Sequence, residues 1–376
     1  MRDKKWQRRT TIFLGIFLSF GMVILPMLSQ SIGQPQSAPV PTVTPAPTAP
    51  APPDIAMISF DNEYLHSSGL FMAAIPSGWA VSNEFSNAGE AQLTMQNPNA
   101  LSVLEVRIIQ ANEGVELDSP NKLGAQFTED WLRSSWRQYS TWREDARKVE
   151  GDQLVIDFNL SRSGQEYVAR QVAFTDGTWI YSVRVIMPSN ATEALKYVLE
   201  NEVASFHRVD RFIGAPLDWS SYFDNSSKHL IRFPSAWAVT DAADGTPASI
   251  VGINTQMRVE TTAMVDSPDA ASAFVATLRT GTQVQTVEAV EQFGLRGYRV
   301  SYLVPSLDGP TQSGLVLILN DENGIAHVAN VLLTDVQNTD LNTVDVTAED
   351  TAQNIKDVYQ TLTTFSVLPE IQLSSN

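Results

Sequence analysis

Past residue 54 the chain alternates between two hydrophobic periods. In "LFMAAIPSGWAVS" (70–82) apolar and polar positions partly trade places with period two, and a proline stands where a strand must begin or bend. The same pattern predicts strands near 91–110 and 248–264. It then predicts strands at 153–161, 166–174 and 178–187, joined by "SRSG" and "DG" turns, and at 296–304, 312–320 and 325–334, the last pair joined by "NG". Between these sets the spacing predicts a helix near 120–138 and another near 268–279. In each, the serine of "DSP" is placed to cap and the proline to occupy the first turn. A closing helix is expected from Asn190, with Glu193 three residues on, and from Thr347, with Asp350 three on. The order is strands, helix, strands, helix, with hairpin connections. This predicts an α+β chain whose mainly antiparallel sheets are covered by helices.

The order occurs twice because the sequence does. "IPSGWAV" (75–81) and "FPSAWAV" (233–239) lie 158 positions apart, and Tyr64 stands 12 residues before Pro76 just as Tyr222 stands 12 before Pro234. Trp79 then matches Trp237. "LDSP" (117–120) matches "VDSP" (265–268), "TDGTWIYSVRV" (175–185) matches "DENGIAHVANV" (321–331), and "VASFH" matches "LTTFS", aligning Phe206 with Phe365. The order is kept and the spacing differs only by loop-sized amounts, so the chain reads as two duplicated domains, 55–210 and 211–376, rather than as a solenoid of short repeats. Tyr64, Pro76, Trp79, Tyr222, Pro234 and Trp237 form the signature of that unit. Core packing is the first reading of the paired tryptophans, a paired aromatic ligand site the second.

An aromatic residue, a short turn, an apolar strand and then "P-S-x-W-x-V" resembles the start of the PsbP-like domain. The resemblance covers both units. It implies two α/β/α sandwich domains and a binding or scaffolding role, since members of that family are generally not enzymes. The single-domain organisation of the photosynthetic members is not matched here, and no photosystem-docking residue can be carried over.

The amino end follows a different rule. "MRDKKWQRRT" precedes a mostly apolar, uncharged run at 12–28. This is the polarity of a signal peptide or of a short membrane anchor, which places the rest of the chain outside the cytoplasm. Residues 12–28 are expected to remain as an anchor in the cytoplasmic membrane, with secretion after cleavage as the alternative. "QPQSAPVPTVTPAPTAPAPP" (34–53) then reads as an extended proline-rich linker.

The formal charge of −17 is uneven: residues 1–33 carry +4, leaving −21 on the remainder. Such a body repels nucleic acid and stays soluble. Cysteine is absent, which excludes disulfides and thiolate chemistry. Nucleotide-binding glycine motifs, HExxH and GxSxG are missing too. No cofactor is expected.

Three stretches carry candidate chemistry. His66 and His229 precede the two signature strands and read as surface turn residues. The acidic segment 335–350 offers Asp340, Asn342 and Asp345 as oxygen ligands for calcium, or as a solvated loop; its spacing is not that of an EF-hand. The segment "FTEDWLRSSWRQYSTWRED" (127–145) carries Trp131, Arg133, Trp136, Arg137, Tyr139, Trp142 and Arg143, and its partner in the second unit has no tryptophan. Trp136, Tyr139 and Arg143 would share a helical face, and aromatics interleaved with arginine are what binding hot spots use. Packing on the sheet, or bridging the two domains, is the other reading. Together these features predict an exported, membrane-tethered, non-enzymatic protein that binds or scaffolds an unidentified envelope partner or ligand. An envelope enzyme, such as a metal-dependent hydrolase, is the alternative.

Overall fold

The computed structural model describes residues 49–241, 243, 245–305, 309–371 and 373. The apolar run at 12–28 and most of the proline-rich linker lie outside the described residues. Among the described residues no helix is long and apolar enough to cross a membrane.

The first half places β1 (Asn62–Leu65), β2 (Phe71–Ile75), β3 (Ala80–Ser86), β4 (Glu90–Asn97) and β5 (Ser102–Gln110) ahead of helix α1 (Glu129–Ser135). It continues with β6 (Thr141–Glu150), β7 (Gln153–Arg162), β8 (Gln165–Thr175), β9 (Trp179–Pro188), helix α2 (Thr192–Ser205) and the short β10 (His207–Arg208). The second half repeats the series: β11 (Trp219–Phe223), β12 (His229–Pro234), β13 (Ala238–Asp241), β14 (Ala248–Gly252), β15 (Thr255–Ala263), α3 (Pro268–Thr277), β16 (Gln283–Gln292), β17 (Leu295–Val304), β18 (Gln312–Asn320), β19 (Ile325–Gln337), α4 (Gln353–Thr364) and β20 (Ser366–Val367).

Each half has a seven-stranded antiparallel sheet, in the orders β3-β4-β5-β9-β8-β7-β6 and β13-β14-β15-β19-β18-β17-β16. Each also has a three-stranded sheet, β1-β2-β10 and β11-β12-β20. The two orders are the same order written twice. Even the register slips recur: bulges fall between Val81 and Asn83 and between Val239 and Asp241, then between Glu144 and Ala146 and between Val284 and Thr286. The chain is therefore two similar domains of mostly antiparallel strands with few helices. Trp79 N–H donates to the Pro76 carbonyl and Trp237 N–H to the Pro234 carbonyl, at 3.0 and 2.9 Å, so the same turn drops each indole into a core. Trp79 is 7% and Trp237 9% exposed. Tyr64 and Tyr222 sit half-buried on β1 and β11; the Tyr64 hydroxyl donates to Glu84 Oε2 at 2.7 Å.

Burial explains the strand sequences. β9, central in its sheet, is buried on both faces and reads as the continuous run "WIYSVRVIMP". β6, at the edge, reads "TWREDARKVE" and is mostly exposed; its charges discourage edge-to-edge pairing. The first sheet has two apolar faces. On one, Leu93, Met95, Leu104, Val106, Val183 and Val185 pack with α2 residues such as Leu195 and Val198. On the other, Ile156, Phe158, Ile180 and Ile186 are covered by Leu123, Phe127, Leu132 and Trp136.

The halves are joined by more than a linker. The first of these cores runs on into Leu217, Leu230, Leu368 and Ile371 of the second half. Ser221 N–H donates to the Ser67 carbonyl at 2.7 Å. Fully buried Arg232 donates from Nε to the Ser68 carbonyl at 2.6 Å and from Nη2 to the Pro216 carbonyl. Gly69 has φ +72°, and a Cβ there would lie 2.8 Å from the Ser221 Cβ, so both backbone and space demand glycine.

Several expectations are corrected. The helix expected near 120–138 is a 3-10 turn, Lys122–Ala125, followed by the seven-residue α1, which Thr128 caps by accepting from Trp131 N–H at 3.3 Å. Ser119 starts no α-helix in the first half, whereas Ser267 does cap α3, accepting from Ala270 N–H at 3.2 Å. Neither closing helix uses the expected capping box. Helix α2 begins at Thr192 after Ala191, and α4 at Gln353 after Ala352, without a side-chain cap. Edge strands β6 and β16 were not expected; their polar sequences lack the apolar alternation of the inner strands.

Candidate functional site

The inner face of the first sheet changes character across its width. Over β7 to β9 it is mostly apolar, apart from Gln171, Ser182 and Arg184, and covered by the α1 segment. Over β3 to β5 the alternation puts Asn83, Phe85, Gln92, Thr94, Gln96, Glu105 and Arg107 on that same face. The covering segment stops short of them. What remains is a groove of about 750 Å³ between this polar half-face and the chain from Trp131 to Tyr139, closed at one end by Arg162 and Tyr167. The volume lies within the roughly 300–1,000 Å³ of small-molecule sites.

A charged network floors the groove. Glu105 accepts from Arg184 Nε at 2.6 Å and from Arg107 Nη2 at 3.3 Å, and Arg107 also reaches Glu90 at 3.5 Å. Burial pushes the Glu105 carboxyl up, but the Arg184 and Arg107 guanidiniums more than offset it and hold it below its ordinary value. Burial pulls Arg184 below its ordinary value, against the opposing pull of Glu105. The Arg184 guanidinium lies 4.2 Å from the Trp136 ring centroid, and Arg107 lies 5.6 Å from that of Trp131. Tyr139 meets Trp136 edge-on at 5.7 Å and Tyr167 at 5.8 Å, and burial raises its phenol to about 12. Behind this layer, Trp136 Nε1, Arg184 Nη1 and both amide atoms of Gln171 are buried without a hydrogen-bond partner among the described residues.

The structure sorts the seven candidates of the tryptophan segment. Trp131, Arg137 and Tyr139 line the groove. Trp136 does not: it is 0% exposed and packs edge-on to Phe158 at 4.9 Å. Trp142, on β6, packs at the margin of the same core. Arg133 is turned to Glu129 and Asp130, at 2.6 and 3.2 Å, and Arg143 to Asp145 at 3.2 Å, all on the outer surface. The expected helical face of Trp136, Tyr139 and Arg143 does not exist, because α1 ends at Ser135, Tyr139 lies in the following turn and Arg143 is on β6. These rings pack on the sheet of their own half, while contacts between the halves described above use other residues.

The other two candidate stretches are also placed. His66 and His229 are corrected from surface to core, at 0% and 1% exposed: His66 follows β1 and is tucked against the Gln92 carbonyl, and His229 is the first residue of β12, packed against Phe365. His66 pairs through Nδ1 with Ser68 Oγ at 2.8 Å and through Nε2 with the Gln92 carbonyl at 3.1 Å. His229 Nδ1 meets Ser227 Oγ at 2.7 Å, and its ring stands edge-on to His327 at 5.9 Å. In the acidic segment, Asp340 accepts from Thr286 Oγ1 at 2.8 Å and from Asn342 N–H at 3.1 Å. Asn342 Oδ1 accepts from Arg299 Nε at 2.9 Å, and Asp345 accepts from Thr347. The three side chains thus secure their own loop, and among the described residues no three His, Asp or Glu side chains converge as metal ligands.

The sequence reading missed Phe85, Gln92, Thr94, Glu105, Arg107, Arg162, Tyr167 and Arg184. A signal existed for some. "SVLEVRIIQ" and "WIYSVRVIMP" each bury a charge inside an otherwise apolar strand, and cross-strand pairing puts Glu105 opposite Arg184.

The sequence matches no family model, and no curated protein matches it at a significant level. Among solved structures, cyanobacterial PsbP (CyanoP) from Synechocystis sp. PCC 6803 is similar at 16% identity over 40% of this chain and 92% of its own, with a TM-score of 0.29. A crystal structure from Bacteroides thetaiotaomicron VPI-5482 is similar at 13% identity over 40% of this chain, with a TM-score of 0.27; the match spans about half, 49%, of that chain. The immunity protein TplEi of a type VI secretion system from Pseudomonas aeruginosa is similar at 11% identity over 83% of this chain and 99% of its own, with a TM-score of 0.24. At these scores the likenesses carry no inference about this chain.

Proposed function

We propose that the chain is an exported, membrane-tethered binding or scaffolding protein of the cell envelope. In this reading it is built from two PsbP-like α/β/α sandwich domains, 55–210 and 211–376, and takes its ligand in the groove of the first. Residues 12–28 hold it to the membrane and the proline-rich linker spaces it from the surface. The observation that carries the binding role is the make-up of the groove. Aromatic side chains and guanidiniums line it, and its two carboxylates, Glu90 and Glu105, are each tied to arginine. An acid–base catalyst needs a carboxyl or imidazole poised to exchange a proton near neutral pH. A carboxylate clamped between two guanidiniums is poised to stay charged, and the four histidines all lie outside the groove lining.

The test uses the full chain purified in detergent and a panel of soluble envelope compounds. A binding protein shows a ligand-induced rise in melting temperature that Trp131→Ala removes, and it returns the compound chemically unchanged. Conversion of the compound would make the protein an enzyme. A panel with no Trp131-dependent shift would end the assignment of the groove. For the topology, a reporter that works only in the cytoplasm, fused after residue 54, is expected to be silent.

A further inference from the structure

We infer that the groove's ligand is a short acidic saccharide, an oligosaccharide carrying carboxylates on its sugar rings. This rests on the binding role proposed above and adds the ligand's chemical class. Three features of the lining converge on it.

The first is charge. Three arginines line the groove against two glutamates, in a chain that carries −21 beyond residue 33. Arg107 is engaged by both glutamates. Arg137 and Arg162 have no carboxylate within ion-pair distance among the described residues. They come from different elements, Arg137 from the loop after α1 and Arg162 from the end of β7. Two unengaged guanidinium forks match separate carboxylates, each of which can be held by paired hydrogen bonds.

The second is the neutral lining. Gln92, Thr94, Gln96, Asn97, Ser134 and Gln138 present amides and hydroxyls, which donate as well as accept. A polyphosphate or an inorganic anion uses donors only. A sugar's hydroxyls use both. The end of α1 that faces the groove, at Ser134 and Ser135, is its carbonyl end, which disfavours a dense negative charge but accepts from hydroxyls.

The third is the set of rings. Trp131, Tyr139, Tyr167 and Phe85 line the groove among these polar groups and do not gather into an apolar pocket of the kind that anchors a peptide side chain. An aromatic face is electron-rich, so it pairs with the partly positive C–H face of a sugar ring while the hydroxyls reach the amides around it. Among the described residues the second domain offers no equivalent of this layer. Where the first sheet has Arg184 beneath Trp136, the second has Asn330 accepting from the buried Tyr302 hydroxyl at 2.6 Å.

The experiment measures binding to the full chain by titration calorimetry. The probes are acidic oligosaccharides (fragments of polygalacturonate, alginate and hyaluronate), the methyl ester of the same galacturonate fragments, a glutamate-rich peptide and inorganic phosphate. At least one acidic saccharide is expected to bind. Affinity is expected to fall roughly tenfold or more on the methyl ester and in the Arg137→Gln, Arg162→Gln double variant, as loss of charged hydrogen bonds dictates. Trp131→Ala is expected to abolish it. All three positions are at the groove surface, and an unchanged melting temperature of the free variants shows that they fold. Equal affinity for the ester, or tighter binding of the peptide or of phosphate, overturns the acidic-saccharide assignment while leaving the groove a binding site. Failure of every acidic saccharide overturns it as well. The binding role itself falls only if, in addition, the wider panel shows no Trp131-dependent shift.

Discussion

Glu202 lies in the last turn of α2, is 0% exposed, and neither carboxylate oxygen has a hydrogen-bond partner among the described residues. Burial alone raises its carboxyl from 4.5 to about 8. Near neutral pH the folded protein therefore holds a proton that the unfolded chain has released. For an acid shifted upward, the stabilisation is complete below the unfolded value and is lost as pH rises through the folded one. Stability should fall by about 1.4 kcal/mol per pH unit between those values, a loss on the order of 5 kcal/mol across the window. Glu202→Gln keeps the shape and removes the ionisation. The assay is urea unfolding of both proteins at unit steps from pH 5 to 9. Every other titrating group is common to the two, so the difference between them isolates position 202. The variant should gain on the wild type with each step up to about pH 8, and the gain should then level off. A difference that stays flat from pH 5 to 9 would refute the burial argument.

The histidine pair should act on the opposite limb. Burial, with His327 alongside, lowers His229 to about 3, so its contribution is present above the ordinary 6.5 and is lost as pH falls toward 3. His229→Phe, which installs the aromatic found at the matching start of β2, should flatten the acid side of the unfolding profile; an unchanged acid midpoint would contradict it. Trp136→Ala should cost about 3–5 kcal/mol, measured by denaturant, whereas Trp131→Ala should cost about 1 or less; equal losses would contradict the placement of one ring in the core and one in the groove. Arg232→Ala leaves the Ser68 and Pro216 carbonyls without their buried donor and should cost about 1–3 kcal/mol for each. Calorimetry should then separate the melting of the two halves, and a single transition at the wild-type temperature would refute the bridging role.

The duplication was legible because both copies kept what folding requires. The proline–tryptophan turn, the strand periods and the aromatic at the end of the closing helix survive in each half. Edge strands were not legible, because no residue of β6 or β16 is fully buried and polar residues fill most of their positions. The sequence singled out the tryptophan segment, but its internal division was not legible. Helix α1 ends at Ser135, so Trp136 only caps it, Tyr139 lies in the following turn and Arg143 on β6, and helical spacing misassigned the faces. The floor of the groove comes from strands far away in sequence, and Glu105 and Arg184 meet only through the β5–β9 pairing. The histidines misled for a related reason: a polar residue beside a turn reads as exposed, whereas His66 bonds a carbonyl of β4 and His229 begins β12, the middle strand of its sheet.

The core that crosses from one half to the other also bears on how the chain matures. Leu368 and Ile371, at the far end of the sequence, belong to the same apolar cluster as Leu70, Phe71 and Val198, and Leu368 N–H donates to the Lys228 carbonyl at 2.7 Å. A ribosome makes the first half long before these two residues arrive. Until then that core has an open side. Leu368 and Ile371 thus act as a latch between the halves. A chain lacking them would keep every lining residue of the groove, yet the core on the opposite face of the same sheet would stay open.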